Sequence, residues 1–184
     1  MPHTVLIILA EGFEEIETIA PINILRRAGA EVTIASYNSQ LFQNGRSNIS
    51  IKADCLLSEI ENPLQFNSLI IPGGPAVFKL RESTKIIKLI KDFHLAKKII
   101  GAICAAPLLL LDAGVITEKT PCTAHDSIID EIPHIDKIKS VVNFKNIITS
   151  RGAGTAVDFG LSMIEQIFGT EKRIEISSSI HAEF

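Results

Sequence analysis

Short apolar runs alternate with amphipathic stretches along the chain, which predicts strands alternating with helices. Runs rich in aliphatic and β-branched side chains predict buried strands, and they lie at Thr4 to Leu9, Glu31 to Ser36, Ser68 to Ile71 and Ile99 to Ile103. Apolar residues at helical spacing predict helices, which span Glu14 to Ala28, Pro107 to Asp112 and stretches beginning at Ser83 and Thr155. This alternation is typical of an α/β fold, doubly wound around a mainly parallel sheet.

The remaining segments carry weaker patterns. Ser39 to Arg46 is polar and predicts a loop, whereas Ile49 to Ala53 alternates as a peripheral strand or hairpin would. Three short β segments are expected at Cys122 to His125, Val141 to Phe144 and Asn146 to Thr149. The helix from Thr155 should bury Val157, Leu161, Ile164 and Phe168, and the tail from Glu171 should be a short helix or an extended segment.

Length and composition favour one globular domain spanning residues 1–184, with 46% hydrophobic and 21% charged residues. A formal net charge of −3 gives no electrostatic basis for binding nucleic acid. No apolar run approaches the roughly 20 residues that cross a membrane, and we expect neither a signal peptide nor a membrane partner. The chain has three cysteines, a small and odd number that argues against a disulfide framework, so a reducing, cytoplasmic setting is expected.

Cys104 is the strongest candidate for chemistry. It lies where the strand Ile99 to Ile103 meets the helix that starts at Pro107, flanked by small residues. A nucleophile on such a strand-to-helix joint forms a nucleophile elbow. A nearby helix N-terminus would lower the pKa of the thiol and favour the thiolate. The alternative is a buried structural cysteine.

Glu17 is the candidate partner of Cys104. It shares a helix face with Ala20, Pro21, Ile24 and Ala28, so it heads an apolar stripe. A carboxyl beside a thiolate would share one proton with it and act as general acid or base. The alternative is a solvated first-turn acid, which is what we expect of Glu14 and Glu15.

Four loops should meet at the carboxyl edge of the sheet, where α/β folds bind ligands. They are Ala10 to Phe13, Pro72 to Pro75, Cys104 to Ala106 and Ser150 to Gly154. Backbone N–H groups of Gly73, Gly74 and Ala105 would then form an oxyanion hole, although Pro72 to Pro75 alone is also compatible with a plain turn.

His125 is a second candidate acid or base, or else an ordinary surface or packed residue. Arg151 and Gly152 precede a helix and are candidates for anion or interface contacts. No group of residues has metal-ligand spacing, and neither a dinucleotide nor a phosphate-loop motif occurs, so no metal and no cofactor is expected.

Together these motifs resemble the ThiJ/PfpI superfamily, in the branch of the parkinsonism-associated protein deglycase. The matching segments run in family order through nearly the whole chain: VLIILAEGFEEIET (5–18), RRAG (26–29), PGG (72–74), AICA (102–105) and TSRGAGT (149–155).

The resemblance implies a flavodoxin-like α/β/α sandwich and a homodimer whose contact involves the first helix and its Arg26-Arg27 end. It also implies an oxidation-prone nucleophile at Cys104, a protonated Glu17, and glyoxalase or deglycase activity on methylglyoxal-like carbonyls. In the peptidase-like branch a histidine follows the cysteine, but here Ala105 does, which argues against peptidase activity. The family's older label, thiamine or thiazole-phosphate biosynthesis, has no matching chemistry in these residues.

Two function classes therefore remain. The first is a cofactor-free enzyme that acts on small reactive α-oxoaldehydes. The second is a non-enzymatic oxidative-stress sensor or redox-regulated chaperone, in which Cys104 is oxidised and partner binding changes. Both use the same Cys104–Glu17 pair, and turnover of a small aldehyde distinguishes them.

Overall fold

The computed structural model of the chain describes residues 2–182, in which a seven-stranded sheet and a two-stranded hairpin are joined by helices. The strands are β1 (Thr4–Leu9), β2 (Glu31–Ser36), β3 (Phe42–Asn44), β4 (Ser50–Lys52), β5 (Cys55–Leu56), β6 (Ser68–Ile71), β7 (Ile99–Ile103), β8 (Val141–Phe144) and β9 (Ile147–Ser150). The helices are α1 (Glu15–Arg27), α2 (Ala76–Leu80), α3 (Thr84–Leu95), α4 (Pro107–Asp112), α5 (Ala156–Phe168) and α6 (Thr170–Ser179). Single 3-10 turns occupy Leu57–Glu59, Pro63–Gln65, Asp126–Ile128 and Ala153–Thr155.

The strand order of the large sheet is β5-β2-β1-β6-β7-β9-β8, and all neighbours are parallel except β8 and β9. The chain first builds outward from β1 to β2 and β5, then returns to place β6 on the other side of β1. The topological switch point therefore lies between the carboxyl ends of β1 and β6, where such sheets bind ligands. The loops after Leu9 and Ile71 flank it directly.

Helices cover both faces of the sheet, which is why its central strands are apolar without alternation. Along β1, Leu6 and Ile8 pack into a core that includes Phe93 of α3. Val5, Ile7 and Leu9 pack into a second core that includes Phe159 of α5. The predicted doubly wound α/β/α sandwich is confirmed.

Three local predictions are wrong. The polar stretch Ser39 to Arg46 contains β3, which pairs with β4 as an antiparallel hairpin; Ile49 to Ala53 accordingly takes part in a hairpin, one of its two expected forms. Cys122 to His125 does not form a strand. Its backbone donors bond outside any ladder: the Thr123 N–H donates to Thr149 Oγ1, and the His125 N–H donates to the Cys104 carbonyl.

The segment from Glu171 lies in a ten-residue helix, α6, which is one of its two expected forms; α6 packs against α5 and buries Ile176 and Ser177. The third wrong prediction is the orientation of Val157 in α5. Val157, predicted to face inward, is 39% exposed, whereas Leu161 and Ile164 are buried. No helix within residues 2–182 combines the length and the apolar character that crossing a membrane requires.

Candidate active site

The four predicted loops meet at the carboxyl edge of the sheet, and backbone hydrogen bonds tie them together. The Glu14 N–H donates to the Gly73 carbonyl, and the Ala76 N–H donates to the Gly12 carbonyl, each over 3.1 Å. The Cys104 N–H donates to the Ser150 carbonyl over 2.9 Å. The ends of β1, β6, β7 and β9 thereby form one platform beside the switch point.

Cys104 lies on a strained turn at the centre of this platform. Its φ is +65°, in the left-handed region that non-glycine residues rarely adopt. β7 ends at Ile103 and α4 begins at Pro107, so the chain reverses direction within three residues around Cys104. The sulfur is half-buried, and the geometry is that of the predicted nucleophile elbow.

Two of the three predicted N–H donors point at the sulfur. The backbone N–H groups of Gly74 and Ala105 donate to Cys104 Sγ. Gly74 has a φ of +91°, and a Cβ there would lie 2.6 Å from the Gly12 carbonyl oxygen, so only glycine fits. The Gly73 N–H is not free for an oxyanion, because it donates to Glu17 Oε2 over 2.9 Å.

Glu17 is buried, with 1% of its surface exposed, and its carboxyl is hydrogen-bonded to the Cys104 sulfur. The interpretation of Glu17 as a solvated acid is therefore wrong. Burial, reinforced by the charge of Glu14, raises the pKa of Glu17 from 4.5 to about 7. Hydrogen bonds from Cys104 and Gly73 and the positive charge of Arg46 act in the opposite direction.

The expectation of a lowered thiol pKa is wrong for Cys104. Burial, followed by the charge of Glu17 and the hydrogen bond to it, raises the pKa of the thiol to about 12. The N–H groups of Gly74 and Ala105 lower it, but by less. Because the two groups are hydrogen-bonded to each other, the Cys104–Glu17 pair titrates as a unit, and a thiolate forms when the remaining proton is on Glu17.

Glu14 and Glu15 are also buried, against the expectation of solvated acids. Glu14 caps α1, because its Oε2 accepts the Glu17 N–H over 2.8 Å. Glu15 Oε1 accepts the Ser47 N–H over 2.7 Å and so joins α1 to the β3–β4 hairpin. Sequence reasoning missed the effect of Glu14 on Glu17, and the three-residue spacing of a helix cap was the signal for it.

His125 and Gly152 border the same space as Glu17. A methyl group on Gly152 would lie 3.4 Å from His125 Cδ2 and 3.7 Å from Glu17 Oε1. The His125 side chain is exposed, and its Nδ1 accepts the Ser127 N–H over 3.1 Å. The structure thus brings together Cys104, Glu17, His125 and Gly152.

Arg151 does not face this space as a free cation. Its guanidinium donates to Asp126 Oδ1 over 2.8 Å and to the Lys137 carbonyl. It therefore holds the turn after His125 against the segment before β8, beside a cleft of about 450 Å³. Across residues 2–182, no three His, Cys, Asp or Glu side chains are grouped as a metal site requires.

Comparison with known proteins gives a consistent family match. The sequence model of the DJ-1/PfpI family matches residues 3–166. Protein dj-1beta of Drosophila melanogaster is 34% identical over 185 residues, covering 98% of this chain and 97% of that protein. A Caenorhabditis elegans protein named glutathione-independent glyoxalase DJR-1.2 is 35% identical, covering 88% of this chain and 87% of its own length.

The chain spans less than half of some relatives. Protein DJ-1 homolog A of Arabidopsis thaliana is 35% identical over 95% of this chain, but only 45% of that protein is covered. Among solved structures, Drosophila DJ-1beta superposes with a TM-score of 0.91 at 31% identity, covering 100% of both chains. Oxidised DJ-1 of Toxoplasma gondii superposes with a TM-score of 0.92 at 30% identity, covering 99% of this chain and 100% of that one.

Proposed function

The chain belongs to the DJ-1/PfpI family, and we propose that it is a cofactor-independent glyoxalase that converts methylglyoxal-like α-oxoaldehydes into 2-hydroxy acids. The observation that carries this proposal is the Cys104 sulfur, which contacts two backbone N–H donors and one carboxyl whose pKa is about 7. These are the groups that carbonyl addition followed by proton transfer requires. The C. elegans relative named as a glyoxalase supports the same chemistry.

The first step is addition to the aldehyde. With the shared proton on Glu17, the Cys104 thiolate attacks the aldehyde carbon of methylglyoxal and forms a hemithioacetal. As the sulfur gives up its charge, the N–H groups of Gly74 and Ala105 become available to the new oxyanion. Glu17 delivers its proton to that oxygen and becomes a carboxylate.

The second step moves a proton between the two substrate carbons. The Glu17 carboxylate removes the hydrogen from the former aldehyde carbon and gives an enediolate. The hydroxyl proton on that carbon passes to the former keto oxygen, and Glu17 returns its own proton to the neighbouring carbon. The product is a lactoyl thioester on Cys104. Water then hydrolyses the thioester to lactate and free thiol, so the sequence is an internal oxidation–reduction that balances without an added oxidant or reductant.

The test is lactate formation from methylglyoxal by the purified protein without added thiol. We expect lactate in amounts far exceeding the protein, and its loss in Cys104→Ala. Consumption of methylglyoxal without lactate, or equal lactate from Cys104→Ala, would overturn the proposal. Deglycase activity would require the same sulfur to attack an aldehyde already carried by an amine or thiol, and glycated substrates in the same assay test it.

A second candidate function is oxidative-stress sensing or redox-regulated chaperone activity through Cys104. The Gly74 and Ala105 N–H groups aimed at the sulfur would also donate to the oxygens of a sulfinate. A solved relative is described as oxidised DJ-1 of Toxoplasma gondii. Selective peroxide oxidation of Cys104, together with absent lactate formation, would favour this function over catalysis.

We also propose that the chain forms a homodimer across α1. Ile16, Ile19 and Ile49 are each about half exposed, and with Val157 they line an apolar groove of about 840 Å³. Arg27 lies at this groove, whereas Arg26 turns away and donates to the Val32 carbonyl. An exposed apolar surface of this kind is typical of a protein interface.

A further inference from the structure

Two backbone hydrogen bonds hold the strained turn at Cys104. The Cys104 N–H donates to the Ser150 carbonyl over 2.9 Å, and the Cys104 carbonyl accepts the His125 N–H over 3.0 Å. A non-glycine residue with a φ of +65° is strained, and such a conformation persists only where the surrounding structure holds it. The position of the Ser150 carbonyl is therefore one of the constraints that determine where the nucleophilic sulfur points.

The side chain of Ser150 anchors this carbonyl inside the protein. Ser150 is fully buried, and its Oγ lies 2.9 Å from the Ser140 carbonyl oxygen and 2.7 Å from Thr155 Oγ1. Two hydroxyl oxygens at 2.7 Å are hydrogen-bonded, so one of the two hydroxyls donates to the other. This bond joins the end of β9 to the residue that precedes α5.

Thr155 also holds the backbone of Gly152. The Gly152 N–H donates to Thr155 Oγ1 over 3.1 Å, and the Thr155 N–H donates to the Gly152 carbonyl over 2.8 Å. Because Gly152 is buried, removing the Thr155 hydroxyl would leave this N–H without its acceptor, which is unfavourable.

The Thr155 hydroxyl bonds to the preceding loop and not to the helix that follows. Thr155 is the N-cap residue of α5, a position where threonine ordinarily accepts an N–H from the first turn of its own helix. Here its side chain makes no such bond. Helix capping therefore does not explain the orientation of this hydroxyl, which contacts Ser150 and Gly152 within residues 150–155.

The same loop borders both groups of the proposed reaction. Its Ser150 carbonyl bonds to the Cys104 backbone, and a methyl group on Gly152 would lie 3.7 Å from Glu17 Oε1. A shift of this loop would therefore change the position of the sulfur relative to the Glu17 carboxyl.

We propose that the Ser150 and Thr155 hydroxyls are positioning groups for the reaction at Cys104. The two side chains act as one unit, which fixes the Ser150 carbonyl and the Gly152 backbone. They affect the substrate only through Cys104 and Glu17. This inference rests on the proposed glyoxalase function. Because a displacement of about 1 Å at a catalytic group can cost about a hundredfold in rate, loss of the Thr155 hydroxyl should lower kcat.

Thr155→Val and Thr155→Ser separate the hydroxyl from the rest of the side chain. Valine has nearly the shape of threonine but no hydroxyl, whereas serine keeps the hydroxyl and lacks the methyl group. We expect Thr155→Val to lower kcat at least about tenfold and to change KM less than about threefold, because the lost contact orients the reacting groups. Thr155→Ser should stay near the wild-type kcat.

Ser68→Ala is the matched control for the loss of a buried hydroxyl. Ser68 is as buried as Ser150 and bonds to His3 Nε2 over 2.7 Å, but it begins β6, at the opposite edge of the sheet. Gly154→Ala is a second control, because it changes the same loop at a point where a Cβ meets nothing within 4 Å. Both variants should retain the wild-type kcat.

The double variant Ser150→Ala, Thr155→Val tests whether the two hydroxyls act together. Substitutions within one hydrogen-bonded network are not additive. The kcat of the double variant should therefore fall little further than that of the more impaired single variant. Losses that multiply would overturn the assignment of the two hydroxyls to one unit.

The alkylation of Cys104 tests the positioning without turnover. Because the geometry between the sulfur and Glu17 sets the reactivity of the thiol, the pH midpoint of iodoacetamide labelling should shift in Thr155→Val and return to the wild-type value in Thr155→Ser. An unchanged midpoint in Thr155→Val, or a kcat loss in Thr155→Ser equal to that in Thr155→Val, would overturn the inference and leave the glyoxalase proposal standing. A wild-type protein that forms no lactate, together with the expected shift of the midpoint, would overturn the glyoxalase proposal and support the positioning of Cys104.

Discussion

The backbone N–H of Gly73 donates to Glu17 Oε2 over 2.9 Å, and this bond crosses the topological switch point of the sheet. Glu17 comes from the helix after β1, and Gly73 comes from the loop after β6. The bond uses one carboxyl oxygen and orients the group against Cys104. The other oxygen, Oε1, faces Gly152, so it is the atom available for moving a substrate proton.

Gly73→Ala should disrupt this arrangement. A Cβ at Gly73 would lie 2.5 Å from Glu17 Oε2 and 2.6 Å from the Cys104 Cβ, so the carboxyl or the elbow must shift. We expect at least about a hundredfold loss of kcat, since a displacement of about 1 Å at a catalytic group has that effect. Lactate assays measure it, with Gly154→Ala as the control. Wild-type kcat in Gly73→Ala would show that the position of Glu17 does not matter.

The pKa of Glu17 predicts a pH-dependent stability. Because the folded pKa of about 7 exceeds the ordinary value of 4.5, the folded state binds this proton more tightly than the unfolded state. The resulting stabilisation is fully present below about pH 4.5 and is lost as the pH rises through 7. Across the whole range the loss corresponds to about 3 kcal/mol.

Urea unfolding of Glu17→Gln should show this directly. Relative to wild type, the glutamine variant should gain free energy of unfolding as the pH rises from 5 to 8. Glu15→Gln is the matched control, because its effect on the pH dependence of the free energy of unfolding should have the opposite sign. Burial would raise the pKa of Glu15, but the Ser47 N–H and other hydrogen bonds lower it, so that carboxyl stabilises at higher pH and loses this effect on acidification. Parallel pH profiles for wild type and Glu17→Gln would contradict the assignment.

Alkylation of Cys104 should report the shared proton. The first proton leaves the pair near pH 7, and the thiolate form in which Glu17 keeps the remaining proton is the reactive one. The iodoacetamide rate at Cys104 should therefore rise through about pH 7, and Glu17→Gln should move that midpoint. Burial raises the pKa of Cys122 to about 11, so this thiol is an internal reference that should respond in neither protein. An identical Cys104 midpoint in both proteins would exclude a shared proton.

The sequence predicted the sheet, the elbow and the convergence of the loops because each depends on local pattern. Apolar runs define β1, β6 and β7, and small residues around Cys104 allow the tight turn. The direction of the pKa shift of Cys104 could not be predicted from the sequence. The helix terminus after Cys104 is a local feature that the sequence shows, whereas the burial of the thiol is not. Burial and the approach of Glu17 come from tertiary packing, and together they reverse the direction of the thiol pKa shift.

The acids at the start of α1 illustrate the same limit. First-turn glutamates are ordinarily solvated, but the β3–β4 hairpin folds over Glu15 and provides the Ser47 N–H. The first strand of that hairpin, β3, lies in the polar stretch Ser39 to Arg46, and it is a strand because it pairs with β4. The local pattern of this stretch alone therefore predicted a loop. Likewise, nothing in the local pattern around Gly73 distinguishes a donor to Glu17 from a donor to an oxyanion.

The apolar groove along α1 predicts a homodimer, and one charged side chain introduced into the groove should prevent it. Ile16→Glu places a carboxylate in the groove and should convert a dimer of about twice the 20.1 kDa chain mass into a monomer. Leu95→Glu is the control, because Leu95 is 68% exposed and does not line the groove. Sedimentation at micromolar concentration measures both. A wild-type monomer, or a dimer that persists in Ile16→Glu, would rule out this interface.

Lactate formed in deuterium oxide should carry deuterium at the carbon bearing the hydroxyl group. In the proposed reaction Glu17 removes a proton from one substrate carbon and returns a proton to the next, and a carboxyl exchanges with solvent between these steps. Oε1 lies 3.7 Å from the point where a Gly152 methyl would be, on the side of the exposed His125, and we expect the exchange to occur from there. A direct hydride shift within the hemithioacetal would instead transfer the original hydrogen and leave no label. Proton NMR of the product measures the labelled fraction, with Glu17→Gln as the variant that should form little lactate. Lactate free of deuterium at that carbon would remove Glu17 as the base while leaving Cys104 as the nucleophile.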